Sequence, residues 1–193
     1  MNHIYHTKGF VLASFPHGEY NKRLVLLTSD FGVIRVTAQA VRKIESKLRT
    51  SIQDYAEADF FLVHGKSGWR LTNTSHVRNL HSALPERDFH MMARIFSLIT
   101  RLIPEEDNAS TICGVIQEFI TYVTTATVSD KDMESLEVLA NLKILSDLGY
   151  IPYHEKLSPL IAGEINSDVL AHIEAHKKEA IKLVNQAIRE SHL

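Results

Sequence analysis

The chain carries a single cysteine, Cys113, in 193 residues. That excludes an intramolecular disulfide and a thiolate zinc cluster. No apolar run approaches the roughly 18 residues that a membrane span requires, and residues 1–15 lack the charged-then-apolar layout of a secretion signal. A cytosolic protein without membrane contact is the simplest expectation. Catalytic signatures are equally scarce. There is no Gly-x-Ser-x-Gly elbow, and nothing marks a paired-carboxylate site. Gly65-Lys66-Ser67 resembles the end of a phosphate-binding loop, but the earlier glycine that such a loop needs for turning its amides inward falls on Phe60. His172 and His176 have a spacing that could bring two imidazoles to one metal. The zincin order would put glutamate directly after the first of them, where Ile173 stands. No third ligand is apparent, although His154 and His192 stay open, and we read an exposed histidine pair. No catalytic residue, metal or cofactor is expected, and the chain reads as a binder.

What the sequence does contain is an uneven distribution of charge. The whole chain is close to neutral at −2. Residues 1–82 hold 11 basic and 6 acidic side chains, a balance of +5, whereas residues 83–193 hold 10 and 17, a balance of −7. Such an asymmetry suggests two domains with different partners, divided as 1–82 and 83–193. The sharpest local feature is Val41-Arg42-Lys43-Ile44-Glu45-Ser46-Lys47-Leu48-Arg49, in which Arg42, Lys43, Lys47 and Arg49 face Glu45 alone. A short basic run is often no more than a solvated segment. This one lies between two strand-like runs, and a cationic loop on the rim of a small β-barrel is a recurrent way to hold a polyanionic backbone.

The first half is written in strand grammar. Residues 5–15 mix apolar and polar side chains, residues 23–28 are nearly continuous apolar, and Ser29-Asp30-Phe31-Gly32 is a turn returning into residues 33–38. There Ile34, Val36 and Ala38 share one face while Arg35, Thr37 and Gln39 share the other. Residues 59–63 and 69–72 flank a hairpin connection, with Trp69 and Leu71 alternating with Arg70 and Thr72. Five strands with a longer connection before the fourth fit a small closed barrel. Arg35 and Arg70 would then project outward and supplement the basic loop.

From Leu84 the period becomes helical. Phe89, Met92, Phe96, Ile99 and Ile103 form one stripe, punctuated by Pro104 and the acidic connector Glu105-Glu106-Asp107-Asn108. Ile112, Val115, Ile116, Phe119, Ile120 and Val123 form a second. Ser129 with Asp132 resembles a capping box opening a third helix that Gly149 closes. After a loop with Pro152 and Pro159, Ser167 is placed to cap a last helix bearing Val169, Ile173, Ala180, Ile181 and Val184. The expected fold class is therefore α+β, all-β then all-α, with a helical bundle following the barrel.

The order and spacing of several stretches resemble the RecO family of bacterial recombination mediators. They are Gly9-Phe10-Val11-Leu12, Asn21-Lys22-Arg23-Leu24-Val25-Leu26-Leu27-Thr28, and Phe31-Gly32-Val33-Ile34-Arg35-Val36-Thr37-Ala38. Ser46-Lys47-Leu48-Arg49-Thr50-Ser51-Ile52-Gln53 continues the match. A further anchor is Leu139-Ala140-Asn141-Leu142-Lys143-Ile144-Leu145-Ser146-Asp147-Leu148-Gly149-Tyr150, similar to the family's helix ending in Leu-Gly-Tyr. The departures are informative. Gln39-Ala40-Val41-Arg42 keeps only the arginine of the family's Lys-Gly-Ala-Arg element, which moves the expected DNA surface toward residues 43–49. Thr50 replaces a glycine and Asp54 a proline. Residues 151–165 hold no cysteine, so the zinc site that many relatives carry after the Leu-Gly-Tyr helix should be absent.

The resemblance implies an N-terminal OB-fold barrel (residues 1–82) and a shortened helical domain (83–193). It implies binding of single- and double-stranded DNA, annealing of complementary strands, and cooperation with RecR. It also implies recognition of the acidic C-terminal tail of single-stranded DNA-binding protein, which is exchanged for RecA, and a cytoplasmic, nucleoid-associated location. The DNA-binding residues expected here are Arg42, Lys43, Lys47 and Arg49, with Arg35, Arg70 and Arg23 in support. Lys143 is one candidate for a basic patch facing the acidic tail. The competing expectation is an OB-fold adaptor outside repair that binds RNA or a protein partner.

Overall fold

The structure is a computed structural model that describes residues 3–103, 109–126 and 128–191. The acidic connector at 105–108, Pro104 before it, and His192 lie outside the described residues. Five strands come first: β1 (Ile4–His17), β2 (Asn21–Thr28), β3 (Gly32–Ala38), β4 (Ala56–Gly65) and β5 (Gly68–Asn79). Seven helices follow among the described residues: α1 (Leu80–Ala83), α2 (Glu86–Leu102), α3 (Ser110–Thr125), α4 (Asp130–Asp147), α5 (Ser158–Ala162), α6 (Ser167–Ala175) and α7 (Lys177–Glu190). The chain divides into two compact units, Met1–Phe89 with Ile103–Cys113, and His90–Leu102 with Gly114–Leu193.

The strands close into a barrel in the order β1-β2-β3-β5-β4. Four pairings are antiparallel, and one, between β3 and β5, is parallel. This is the five-stranded topology of an OB-like fold, and the sequence expectation of a barrel followed by helices holds. Alternation explains which side chains fill it. Leu24 and Leu26 of β2, Ile34, Val36 and Ala38 of β3, Phe60 and Leu62 of β4, and Leu71 of β5 point inward and are buried together. The β3–β4 connection contributes Val41 and Ile52 to the same core, with Leu48 packed against it. Tyr5, Phe31 and Trp69 also pack against this cluster, their rings meeting at 4.9 to 5.7 Å.

Two backbone positions carry most of the local constraint. Gly9 sits where β1 crosses β2, and a Cβ there would lie 2.1 Å from the Leu27 carbonyl oxygen. Only a bare backbone permits that approach. Ala40, at the exit of β3, has φ +55, a left-handed conformation that costs an L-residue about 1–2 kcal/mol. It is held there by its amide, which donates to Asn21 Oδ1 at 2.9 Å. Ala40 occupies the position at which the resembled family carries glycine, so the strain has a direct sequence origin.

In the helical unit α4 is the central element, packing against α5, α6 and α7. Its buried residues run over several faces, from Met133 and Leu136 through Leu142 to Leu145, the pattern of a helix surrounded by neighbours. The expected ends are present. Ser129 Oγ accepts from the Asp132 amide at 3.2 Å. At the other end Gly149 has φ +77, its amide donating to Ser146 and the Tyr150 amide to Leu145, which is a Schellman closure. The last expected helix is two. Asn166, not Ser167, caps α6, its Oδ1 accepting from the Val169 amide at 2.9 Å. His176, at φ −112 and ψ 18, leaves the helical well and separates α6 from α7. Ile181, expected on the apolar stripe, is exposed.

Two substitutions test these constraints. Gly9→Ala should destabilise the barrel by about 1–3 kcal/mol through overpacking against backbone, read as a lower denaturant midpoint. Ala40→Gly should be net stabilising by roughly 0.5 kcal/mol, the strain relieved exceeding the backbone entropy of the added glycine. A thermal melt of the second variant should shift upward by about 1–2 °C.

Candidate nucleic-acid interface

The strand register places one row of side chains across the outer barrel face. Phe15 pairs with Arg23, Arg23 with Thr37, and Thr37 with Arg70. Because their inward neighbours Leu24, Val36 and Leu71 are core, these four point outward. Beside this row lies a cavity of about 460 Å³ over the β2–β3–β5 face, lined by Arg23, Thr37, Gln39, Lys66, Trp69 and Arg70 among others. It is bounded by the β1–β2 turn, through His17 and Asn21, and by the β4–β5 turn, through Gly65-Lys66-Ser67-Gly68. These are the elements through which OB-folds receive oligonucleotides.

Three cations line the cavity and no carboxylate does, among the described residues. Arg70 Nη1 lies 3.4 Å from Gln39 Oε1, a long polar contact that leaves its remaining donors available. Arg23 and Lys66 have no ion-pair partner among the described residues. Trp69 is only partly covered, and its ring is braced by Tyr5 at 5.2 Å and His64 at 4.7 Å. A cationic floor with a fixed aromatic ring offers charge for phosphates and a surface for bases.

The basic β3–β4 connection is attached to the same rim. Successive turns, from Lys43 to Ala40, Ser46 to Lys43 and Arg49 to Ser46, order it without making a helix. Arg42 Nη1 donates to the Gly18 carbonyl at 3.1 Å, and the Arg42 amide to the Tyr20 carbonyl at 3.0 Å. Lys43 Nζ stands 5.3 Å from the centre of the Tyr20 ring, a cation–π distance. The Tyr20 hydroxyl is hydrogen-bonded to Glu19, which pushes the phenol above its ordinary pKa. Lys47 and Arg49 are exposed further along the connection, neither ion-paired among the described residues.

The sequence-expected cations therefore fall into three places. Arg23 and Arg70 line the cavity. Arg42 and Lys43 are tied to the β1–β2 turn at its edge, and Lys47 and Arg49 lie beyond. Arg35 is exposed on the same outer face but does not line the cavity. The cavity also takes in Lys66, Trp69 and Asn21, which do not belong to the expected DNA-binding set. Lys66 sits in the Gly65–Gly68 turn, the expected hairpin connection and here the link between β4 and β5.

His172 and His176 each donate Nδ1 to a backbone carbonyl, of Asp168 at 2.7 Å and of His172 at 3.0 Å. No group of three metal-ligating side chains lies together among the described residues. Lys143 does not form an open basic patch. It is buried, donating to the Gly163 carbonyl at 2.5 Å and lying 3.6 Å from Glu118. The Cys113 thiol is pushed up to about 12 by burial, so it is not a thiolate at neutral pH. No described helix is long and apolar enough to cross a membrane.

A five-stranded OB-like barrel, with an outer cavity lined by three cations and no carboxylate among the described residues, followed by a helical unit, defines the class by its fold. The comparisons narrow that class. Residues 1–80 match the family described as Recombination protein O N terminal. The chain is 26% identical over 153 residues to DNA repair protein RecO of Desulfitobacterium hafniense, covering 77% of this chain and 53% of that protein. Against the Heliobacterium modesticaldum protein of the same name it is 28% identical over 152 residues, covering 77% and 53%. Over 81 residues it is 39% identical to the Synechococcus elongatus protein, covering 40% and 30%. The likeness to RecO is carried by the family match over residues 1–80, and the chain spans about half the length of these first two curated relatives.

If the cavity holds a phosphate backbone, replacing Arg23, Lys66 and Arg70 together by alanine should remove three charge contacts. The log–log salt dependence of single-strand binding should flatten by about 2 units of slope, since each contact contributes roughly 0.7. Anisotropy titrations over a salt series read this directly, and an unchanged slope would place the surface elsewhere.

Proposed function

We propose that this chain is a non-catalytic DNA repair mediator that binds single- and double-stranded DNA through the barrel and anneals complementary strands without nucleotide hydrolysis. The observation that carries the reading is the cavity over the β2–β3–β5 face, with Arg23, Lys66 and Arg70 and no carboxylate in its lining. The family named above supports it. Binding runs mainly through phosphates, so it is tolerant of sequence and sensitive to salt. Cations at the cavity and on the 41–49 connection lower the repulsion between two approaching backbones, and pairing then needs no ATP.

In the same reading the protein acts with RecR and helps replace single-stranded DNA-binding protein by RecA, in the cytoplasm at the nucleoid. The coating protein's acidic tail is the second contact. Attachment to DNA and tail together raises effective affinity without tight binding at either. Since Lys143 is engaged inside the helical unit, the tail's carboxylates need other cations.

The test is annealing on naked and coated strands. Deleting the tail from the coating protein should abolish annealing on coated DNA and spare it on naked DNA. Equal activity with and without the tail would leave a simple DNA binder. A probe set of single-stranded DNA, duplex DNA and RNA adds the discrimination from an adaptor, for which RNA or a protein would bind in preference to DNA.

A further inference from the structure

Ile44 is 87% exposed, the most solvent-accessible large apolar side chain among the described residues. Its position makes that exposure unusual. It follows Arg42 and Lys43 in the β3–β4 connection, with Lys47 and Arg49 on the same connection and Glu45 as the one carboxylate among them. The connection is not loose. It is anchored before Ile44 by buried Val41 and after it by buried Ile52, with Leu48 packed against the barrel core between them. Arg42 and Lys43 fasten it to the β1–β2 turn, whose Asn21 and neighbouring His17 line the cavity. Ile44 lies two positions after Arg42, a reach of at most about 7 Å. A strand lying along that rim therefore brings its bases to Ile44.

We propose that Ile44 is a wedge that inserts between stacked bases of bound DNA, with Arg42 and Lys43 holding the flanking phosphates. This deepens the DNA-binding reading above and rests on it. The chemistry is that of apolar side chains which part base steps while neighbouring cations grip the backbone. An exposed isoleucine costs little before binding and gains a dry surface when bases close on it. Parting the stack also serves pairing, because an unstacked strand presents its Watson–Crick edges to an incoming complement. At a duplex end the same insertion would open the terminal pair, so single strands and duplex ends are the expected substrates and duplex interiors are not.

The experiment uses the full chain with DNA carrying 2-aminopurine, whose emission rises when it is unstacked, at protein concentrations that saturate binding by anisotropy. Wild type should raise emission on single strands and at terminal pairs of a duplex, and not at interior pairs. Ile44→Ser should lose the rise at saturation, and Ile44→Leu should keep it. Ile44 is so exposed that neither change threatens folding, which a thermal melt of each variant confirms. A rise that persists in Ile44→Ser, or no rise with wild type at saturation, would overturn the wedge while leaving DNA binding in place. Absence of any anisotropy change with these probes would instead remove the DNA-binding reading, and the wedge with it.

Discussion

The parallel pairing of β3 with β5 is three residues wide, Val36 with Trp69, Thr37 with Arg70 and Ala38 with Leu71, and the closure of the barrel depends on it. An antiparallel meander would leave β3 at an edge, with its amides unpaired and its outer face ending at Thr37. Joining β5 to that edge closes the barrel, buries Val36, Ala38 and Leu71 on the inside, and delivers Arg70 beside Thr37 on the outside. Arg23 arrives from β2 by ordinary register. The cationic row is thus a consequence of closure, assembled from residues 23, 37 and 70 that no local motif would group.

Closure also dictates the awkward β3–β4 connection. Because β5 takes the place beside β3, the chain leaving β3 must cross to the far side of β1, where β4 pairs. Both ends of this connection are strained, Ala40 at φ +55 and Tyr55 at φ +66, each at a cost of order 1–3 kcal/mol. They persist because neighbours over-determine them. The Tyr55 amide donates to the Val11 carbonyl at 2.8 Å, the Leu80 amide to the Tyr55 carbonyl at 3.1 Å, and Asn21 holds Ala40. Strain at the ends and apolar anchors between them keep the cations of this segment near one geometry, which lowers the ordering cost of meeting a phosphate chain.

Alternation of Ile34, Val36 and Ala38 against Arg35 and Thr37 was readable because the period of a strand survives whatever the tertiary context, and so was the Ser129 to Gly149 helix with both its end signals. Boundaries were less legible. β5 runs to Asn79, well past Thr72, because a register shift and a left-handed His76 carry it through irregular pairing with β4. The break at His176 has no proline or glycine to announce it. The cavity was legible only in part: Arg23 and Arg70 could be suspected as outward cations, but Lys66, on the expected hairpin connection, has nothing in the sequence to set it beside them. A run of four cations in nine residues is visible on a page, whereas three cations gathered from β2, β5 and a hairpin are visible only once the register is known.

Ion pairs leave the net charge of each half unchanged, but they decide which charges stay free at the surface. Four cations of the helical unit are ion-paired among the described residues: Arg94 binds Glu137 at 2.6 Å, Lys131 and Lys177 both reach Glu174, Lys177 also meets Glu134, and Lys143 faces Glu118. Glu174 accepts from buried Ser135 as well, which holds its carboxyl below the usual range. Exposed pairs of this kind add little stability each, yet they cancel the positive charge locally and leave the unit's surplus carboxylates to set its field. In the barrel Arg23, Lys66, Lys47 and Arg49 have no carboxylate partner among the described residues, so their charge faces water undiminished. A polyanion approaching this chain is therefore attracted by the barrel and repelled by the net field of the helices. Screening confines both fields to about 8–10 Å at physiological salt, so the discrimination acts at contact. On the proposed reading, that contact falls at the cavity and the 41–49 connection, where Arg23, Lys66, Lys47 and Arg49 stand without an ion-pair partner among the described residues.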